Sequence, residues 1–282
     1  MLIAFKLKLL LACAAGLAGP IAVAPLVSDM AVHGTATEPA IVRVAPGNLS
    51  YREAGDFTRA GLQAEVPLRA MRFNRPLHIM RHQVSSSDYQ LCVQDSACRA
   101  LDRGVAIASD RPAVQVSWHD AQAYAGWLSR KTGHTYRLPS DAEWAFAAGS
   151  RFKDDGAPVD ADNPSTRWIS RYERESERDP FDTAAHPFGK FGANEHGIED
   201  LAGNVWEWTS TCFVRSRTDE AGNAGKPTVN CGVRIAEGAH RAYVTDFIRD
   251  ARAGGCAAGI PPRNLGFRLV REPKLFMRWF GL

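Results

Sequence analysis

The side chains in this sequence whose chemistry depends most on their setting are its thiols. Cysteines stand at positions 13, 92, 98, 212, 231 and 256. A thiolate can attack, bind a soft metal or close a disulfide, and spacing helps to separate these uses. No Cys-x-x-Cys occurs and the thiols are scattered along the chain, which argues against a zinc site. Cys92 and Cys98 bracket the short loop Cys92-Val-Gln-Asp-Ser-Ala-Cys98 and are predicted to form a disulfide. Of Cys212, Cys231 and Cys256, two are predicted to bridge, leaving one thiol free or paired with a partner. His78 and His82 are four residues apart in an extended segment, which separates them by about 13 Å, too far to share one metal. The chain has no Walker loop, dinucleotide glycine motif or serine-nucleophile elbow, so nucleotide chemistry and serine hydrolysis are not expected.

Disulfides require an oxidising compartment, and the N-terminus predicts delivery to one. Lys6 and Lys8 precede an apolar run from Leu9 to Val23 that ends in Ala22-Val23-Ala24, the pattern of a cleaved signal peptide over residues 1–24. The run is shorter than the roughly 20 apolar residues that cross a bilayer, so the expectation is a periplasmic or secreted protein with no membrane span. Cleavage would remove Lys6, Lys8 and Cys13 and lower the formal charge from +3 to +1. With 34 Lys and Arg against 31 Asp and Glu, the chain lacks the basic excess of a nucleic-acid binder. A composition of 45% hydrophobic and 23% charged residues fits a packed domain rather than a disordered chain.

Local signals place the elements that must hold these residues. Residues 25–40 mix Pro, Ala, Thr and Gly without a period and read as a linker. Ile41-Val-Arg-Val44 predicts a strand that runs into a turn at Pro46-Gly47, and Leu77-His-Ile-Met80 predicts another. Ser117 with Asp120 forms a capping box ahead of Ala121, Tyr124, Ala125 and Leu128, so a helix is expected that ends with Arg130, Lys131 and Gly133. Ser140-Asp-Ala-Glu143 opens a second helix that ends at Gly149, after the short extended link Tyr136-Arg-Leu138. From Arg151 to about Asn194 the chain is polar and proline-rich with no sustained period, which predicts a long irregular segment. The 272–282 tail is apolar and basic, and is expected to pack back on the domain.

Four blocks, in order, carry a resemblance to a known family. They are Val116-Ser-Trp-His-Asp-Ala-Gln-Ala-Tyr-Ala-Gly-Trp127, Thr132-Gly-His-Thr-Tyr-Arg-Leu-Pro-Ser-Asp-Ala-Glu-Trp144, Gly203-Asn-Val-Trp-Glu-Trp-Thr209 and Asn264-Leu-Gly-Phe-Arg268. Together they resemble the signature of the formylglycine-generating (sulfatase-modifying) enzyme family. The resemblance implies one α+β domain over residues 41–271 with the irregular formylglycine-generating-enzyme fold, related to C-type lectins and low in regular secondary structure. It also implies a catalytic cysteine pair shortly before the Asn-Leu-Gly-Phe-Arg block, because Cu(I) binding and thiol exchange need soft thiolates. The matching segment, Glu237 to Arg249, contains no cysteine, and Cys256 beyond it is a single thiol. Sulfatase activation is therefore not expected. The chain is more similar to branches without the pair, which include periplasmic pyoverdine-maturation proteins and accessory proteins of copper nitrite reductase.

The resemblance further implies ligand sets. Asp200, Gly203, Val205 and Glu207 match a structural calcium site, with two carboxylates and two backbone carbonyls suited to a hard cation. Asp179 and the carbonyl of Phe181 match a second one. The family's active-site segment here offers His240, Tyr243, Asp246, Arg249, Arg252 and Cys256, enough to bind a metal, copper included, or a polar ligand. A competing reading pairs Asp246 and Asp250 with Arg249 and Arg252 on a solvated edge and puts Cys256 in a disulfide with Cys212 or Cys231. Trp206 and Trp208 are expected in the core, and Arg268 in a buried ion pair or carbonyl contact. Two functions follow as expectations. One is an accessory or maturation factor for a periplasmic protein partner, with a copper nitrite reductase system as the candidate. The other is a metal-dependent oxidoreductase acting on a small-molecule or peptide substrate.

Overall fold

The computed structural model describes residues 38–64, 66–102, 104–153, 184–221, 223–250 and 264–273. The expected signal peptide, most of the linker, the middle of the polar stretch and the tail beyond Pro273 lie outside the described residues. So do Asp179, Phe181, Arg252 and Cys256.

The chain opens with six strands: β1 (Ile41–Val44), β2 (Gly47–Arg52), β3 (Asp56–Arg59), β4 (Leu62–Gln63), β5 (Leu68–Phe73) and β6 (Leu77–Met80). Three helices and a short strand follow as α1 (Ser86–Gln94), α2 (Trp118–Thr132), β7 (Tyr136–Arg137) and α3 (Asp141–Ala148). The remaining strands are β8 (Trp206–Thr218), β9 (Thr228–Glu237), β10 (Ala242–Thr245), β11 (Leu265–Gly266) and β12 (Val270–Arg271). They assemble into a sheet of order β1-β6-β12-β7, a sheet of order β10-β9-β8-β3-β4 with β11 beside β8, and the pair β2-β5. Helices are few and most strands are short, in line with the irregular α+β expectation. No helix among the described residues is long and apolar enough to cross a membrane.

Both predicted capping boxes form, because their bonds are local and need no help from the rest of the chain. Ser117 accepts from the Asp120 amide at 3.1 Å while Asp120 accepts from the Ser117 amide at 2.9 Å. Ser140 and Glu143 reciprocate at 3.2 and 2.8 Å. Helix α2 leaves through Gly133 at φ +70°, a left-handed position that glycine adopts at no steric cost. Its buried stripe of Ala121, Tyr124, Ala125 and Leu128 meets Tyr89, Trp208 and Phe267 in one core. Helix α3 supplies Trp144 and Phe146 to a second core with Ile79, Ile198 and Leu201.

The sequence reading did not identify helix α1. Its signal was present: Ser85 accepts from the Asp88 amide at 3.0 Å, and Tyr89 and Cys92 follow three apart on the buried side. The reading also missed the long β8-β9 hairpin, whose Trp206–Thr218 strand the tryptophans merely begin. Its pattern is broken because both faces of the first turns of the hairpin are covered: Trp206, Glu207, Trp208 and Thr209 are all buried in succession. The disulfide between Cys92 and Cys98 is present, as expected, and joins the last turn of α1 to the loop after it. Cys212 pairs with Cys231 across the hairpin, so neither is available to Cys256.

The cap of α2 carries more than the helix end, since Asp120 Oδ2 also lies 3.0 Å from Arg249 Nε. Ser117→Ala is expected to cost about 1 kcal/mol, read as a lower urea midpoint at unchanged slope. Asp120→Asn should cost more than that, because it also takes a charge partner from buried Arg249. Equal losses would contradict the double role.

Candidate functional site

The third signature block enters through a turn with unusual backbone. Asp200, Ala202 and Asn204 all have φ near +60° (59°, 58° and 58°), and none is glycine. This is a strained path that the surroundings must hold. Side chains at two of the three positions do so. The Asp200 carboxylate accepts from the amides of Gly189 and Phe191 at 2.7 and 2.8 Å, and the Asn204 carboxamide both accepts from and donates to the His186 backbone at 2.9 and 3.0 Å. Gly203 is needed for space, since a Cβ there would come within 2.7 Å of the Phe191 ring.

Glu207 follows on β8 and is fully buried. Its Oε1 accepts from Gln83 Nε2 at 2.7 Å and from an Arg268 terminal nitrogen at 2.7 Å. Oε2 accepts from the Trp144 indole at 2.8 Å and from Arg268 Nε at 2.6 Å. Arg268 is buried as deeply, and hands its remaining donors to the carbonyls of Met80, Arg81 and Glu199 at 3.2, 3.0 and 2.9 Å. The expected buried ion pair of Arg268 is thus present. The calcium expectation for Asp200, Gly203, Val205 and Glu207 meets a different arrangement. Each oxygen of Glu207 already takes two N–H donors, which leaves no lone pair for a cation, and the Asp200 carboxylate is aimed at two amides. As arranged, these residues do not fit a calcium ion that uses Glu207 as a ligand.

The segment that the resemblance likens to an active site starts at the end of β9. Its described candidates, His240, Tyr243, Asp246 and Arg249, each have partners outside the set. The Nδ1 of His240 donates to the Arg241 carbonyl at 3.0 Å, and its ring lies edge-on to Trp206. The Tyr243 hydroxyl is buried, accepting from the Gly55 amide at 3.0 Å and donating to the Gly55 carbonyl at 3.2 Å. Asp246 lies 3.3 Å from His119 Nε2. Arg249 is buried against the carboxylate of Asp102 and the carbonyl of Ala100, with Asp120 at 3.0 Å as a charge contact whose geometry is not that of a hydrogen bond. Of the competing picture, in which Asp246 and Asp250 pair with Arg249 and Arg252 on a solvated edge, Arg249 is corrected: it is buried against Asp102 and Asp120, while Asp246 meets His119 and Arg252 lies outside the described residues. Among the described residues no group of three or more His, Cys, Asp and Glu is arranged to hold a metal.

A cluster that the sequence reading did not single out lies beside this segment. Arg241 Nε sits 2.8 Å from Glu237 and 3.2 Å from Asp141, and its Nη1 donates to the Arg52 carbonyl at 3.0 Å. All three charged residues are buried. Two acids share one guanidinium, and full ionisation would leave a net negative charge without water. Burial accordingly drives the Glu237 carboxyl well above the usual carboxylate range, with Asp141 adding to the rise and Arg241 opposing it. The Tyr51 phenol, whose ring faces Arg241, is pushed up to about 12 by burial and by Asp141. The only sequence signal for this cluster was its residue types, because Asp141 arrives from 100 positions away.

A helix-poor α+β domain in which a buried Trp-Glu-Trp strand is clamped by the arginine of a later block defines a class, and the comparisons with known proteins assign it. Residues 27–273 match the sulfatase-modifying factor enzyme 1-like domain, and the chain belongs to that family. The formylglycine-generating enzyme of Mycobacterium tuberculosis is 36% identical over 191 residues, covering 61% of this chain and 61% of its own length. The inactive C-alpha-formylglycine-generating enzyme 2 of Bos taurus is 31% identical over 167 residues, covering 55% of this chain and 53% of its own length. The chain thus spans between about half and three-fifths of these curated relatives. The structure of PvdO from Pseudomonas aeruginosa shares the fold, with a TM-score of 0.52 at 23% identity over 83% of this chain and 95% of PvdO.

Glu237 gives the site a pH signature. Its folded form holds a proton to higher pH than the unfolded chain does. Between the ordinary carboxylate range and its raised value, stability therefore falls as pH rises. Glu237→Gln cannot ionise and is expected to flatten the urea midpoint against pH across that window. An equally steep fall in the variant would show that Glu237 is not the group responsible.

Proposed function

We propose that this chain is an exported member of the family that does not generate formylglycine and serves as an accessory or maturation factor for a periplasmic enzyme, with a copper nitrite reductase as the candidate client. The observation that carries this reading is the state of the segment from Glu237 to Arg249. It holds no thiol; Arg241, Tyr243 and Arg249 in it are tied to backbone or buried charges of other elements, and Glu237 is tied to Arg241. A Cu(I) centre wants soft ligands, and buried carboxylates and guanidinium groups do not supply them. A family relative named as inactive, at 31% identity, supports a member that keeps the domain without the activity. The periplasmic setting rests on the predicted signal peptide, and the two disulfides are compatible with it.

Two measurements bear on separate halves of the proposal. The purified chain, supplied with copper and oxygen, is expected to leave the mass of a cysteine-containing sulfatase-motif peptide unchanged. Loss of the thiol with gain of an aldehyde would overturn the inactive assignment. Deletion of the gene from a denitrifying host is expected to lower the copper content and activity of its nitrite reductase at unchanged protein level. Full activity in the deletion strain would remove that client.

A further inference from the structure

The β8-β9 hairpin holds an arrangement that neither the family resemblance nor the proposed function uses. Cys212 is opposite Arg234 in the ladder and Phe213 is opposite Asn230, so Cys231, Gly232 and Val233 bulge out of β9 with no counterpart on β8. The bulge lets Cys231 reach Cys212 to form the disulfide. It also leaves Cys231 exposed while Cys212 is partly covered.

Arg234 covers the inner sulfur. Its Nη1 lies 3.0 Å from Cys212 Sγ and donates to the Ser210 carbonyl at 2.8 Å, and its guanidinium stacks 3.9 Å above the Trp118 ring. Its Nε is buried without a hydrogen-bond partner among the described residues. Asp246, the acid that acts on it electrostatically, is paired with His119, and no described carboxylate forms an ion pair with Arg234. The cation is therefore poorly compensated, and burial lowers its proton affinity. A disulfide sulfur is a weak acceptor, whereas a thiolate at the same place would be a full counter-ion.

We infer that Cys212–Cys231 is an exchange-competent disulfide that oxidises thiols, with Cys231 the sulfur attacked and Cys212 the leaving group held by Arg234. An incoming thiolate attacks Cys231 Sγ, a new S–S bond forms, and the old bond breaks with its electron pair going to Cys212 Sγ. A second substrate thiolate then attacks the substrate sulfur of the mixed disulfide and releases Cys231 as thiolate. Two substrate thiols lose two electrons and two protons to become a disulfide, and the protein disulfide gains the electrons to become two thiols. The guanidinium favours the reduced side of this balance, since a cation next to a thiol stabilises the thiolate and makes it a better leaving group. Cys92–Cys98 is the internal contrast, because Cys92 is fully buried against the core. The inference is independent of the client proposed above.

The test equilibrates the full oxidised chain in glutathione buffers at pH 7 and reads each cysteine by alkylation and mass spectrometry. Cys212–Cys231 is expected to reduce at a more oxidising poise than Cys92–Cys98, with glutathione trapped on Cys231 in the Cys212→Ser variant. In the reduced protein the Cys212 thiol should titrate below the ordinary value of about 8.5. Arg234→Met should raise it and slow reduction by about tenfold, whereas Arg234→Lys should restore much of both. Reduction of the two disulfides only together, or an Arg234→Met variant with unchanged thiol titration and rate, would overturn the inference.

Discussion

Glu207 and Arg268 meet where neither touches water, and the other elements of the core are arranged around their contact. The pair is joined through both oxygens, at 2.6 and 2.7 Å. Around it stand Trp144 from α3, Gln83 from the chain after β6, and the carbonyls of Met80, Arg81 and Glu199. One ion pair thus fixes both helical cores and the turn at Asp200 in register with β8. Burying two charges is costly unless every donor and acceptor is matched, and here the carboxylate takes four donors. Losing one partner would leave the other charge stranded.

That constraint ties the fold to residues drawn from β6, α3, β8 and the last signature block. The clamp uses no residue of the segment after Glu237. Several residues of that segment are held by other elements: Arg241 meets Asp141 as well as Glu237, Tyr243 closes on Gly55, and Arg249 reaches the cap of α2. The same economy applies to Asp200, whose carboxylate secures two amides of a neighbouring loop.

What could be read from the sequence followed the range of the interactions. The helices at Ser117 and Ser140 were legible because a capping box is complete within four residues, and Gly133 marks its own left-handed exit. The strands at Ile41 and Leu77 were legible from short β-branched and apolar runs. The burial of Trp206 and Trp208 followed from residue type. The partners of Glu207 were not legible because motif spacing shows which oxygens are neighbours along the chain but not which donors arrive from elsewhere; Arg268 is 61 positions from Glu207 and Gln83 is 124. The contacts of Arg234 with Cys212 and Trp118 were illegible for the same reason, with a three-residue bulge that no local pattern announces.

The most direct test of this account is a double-mutant cycle on the clamp, with Glu207→Gln, Arg268→Met and the double variant compared by urea unfolding. Each single change is expected to cost about 3–5 kcal/mol, and the double variant clearly less than the sum, because the second change removes a charge already stranded by the first. Additive losses, or a wild-type midpoint that rises with added calcium in a Glu207-dependent way, would contradict the claim that Arg268 is the partner of Glu207.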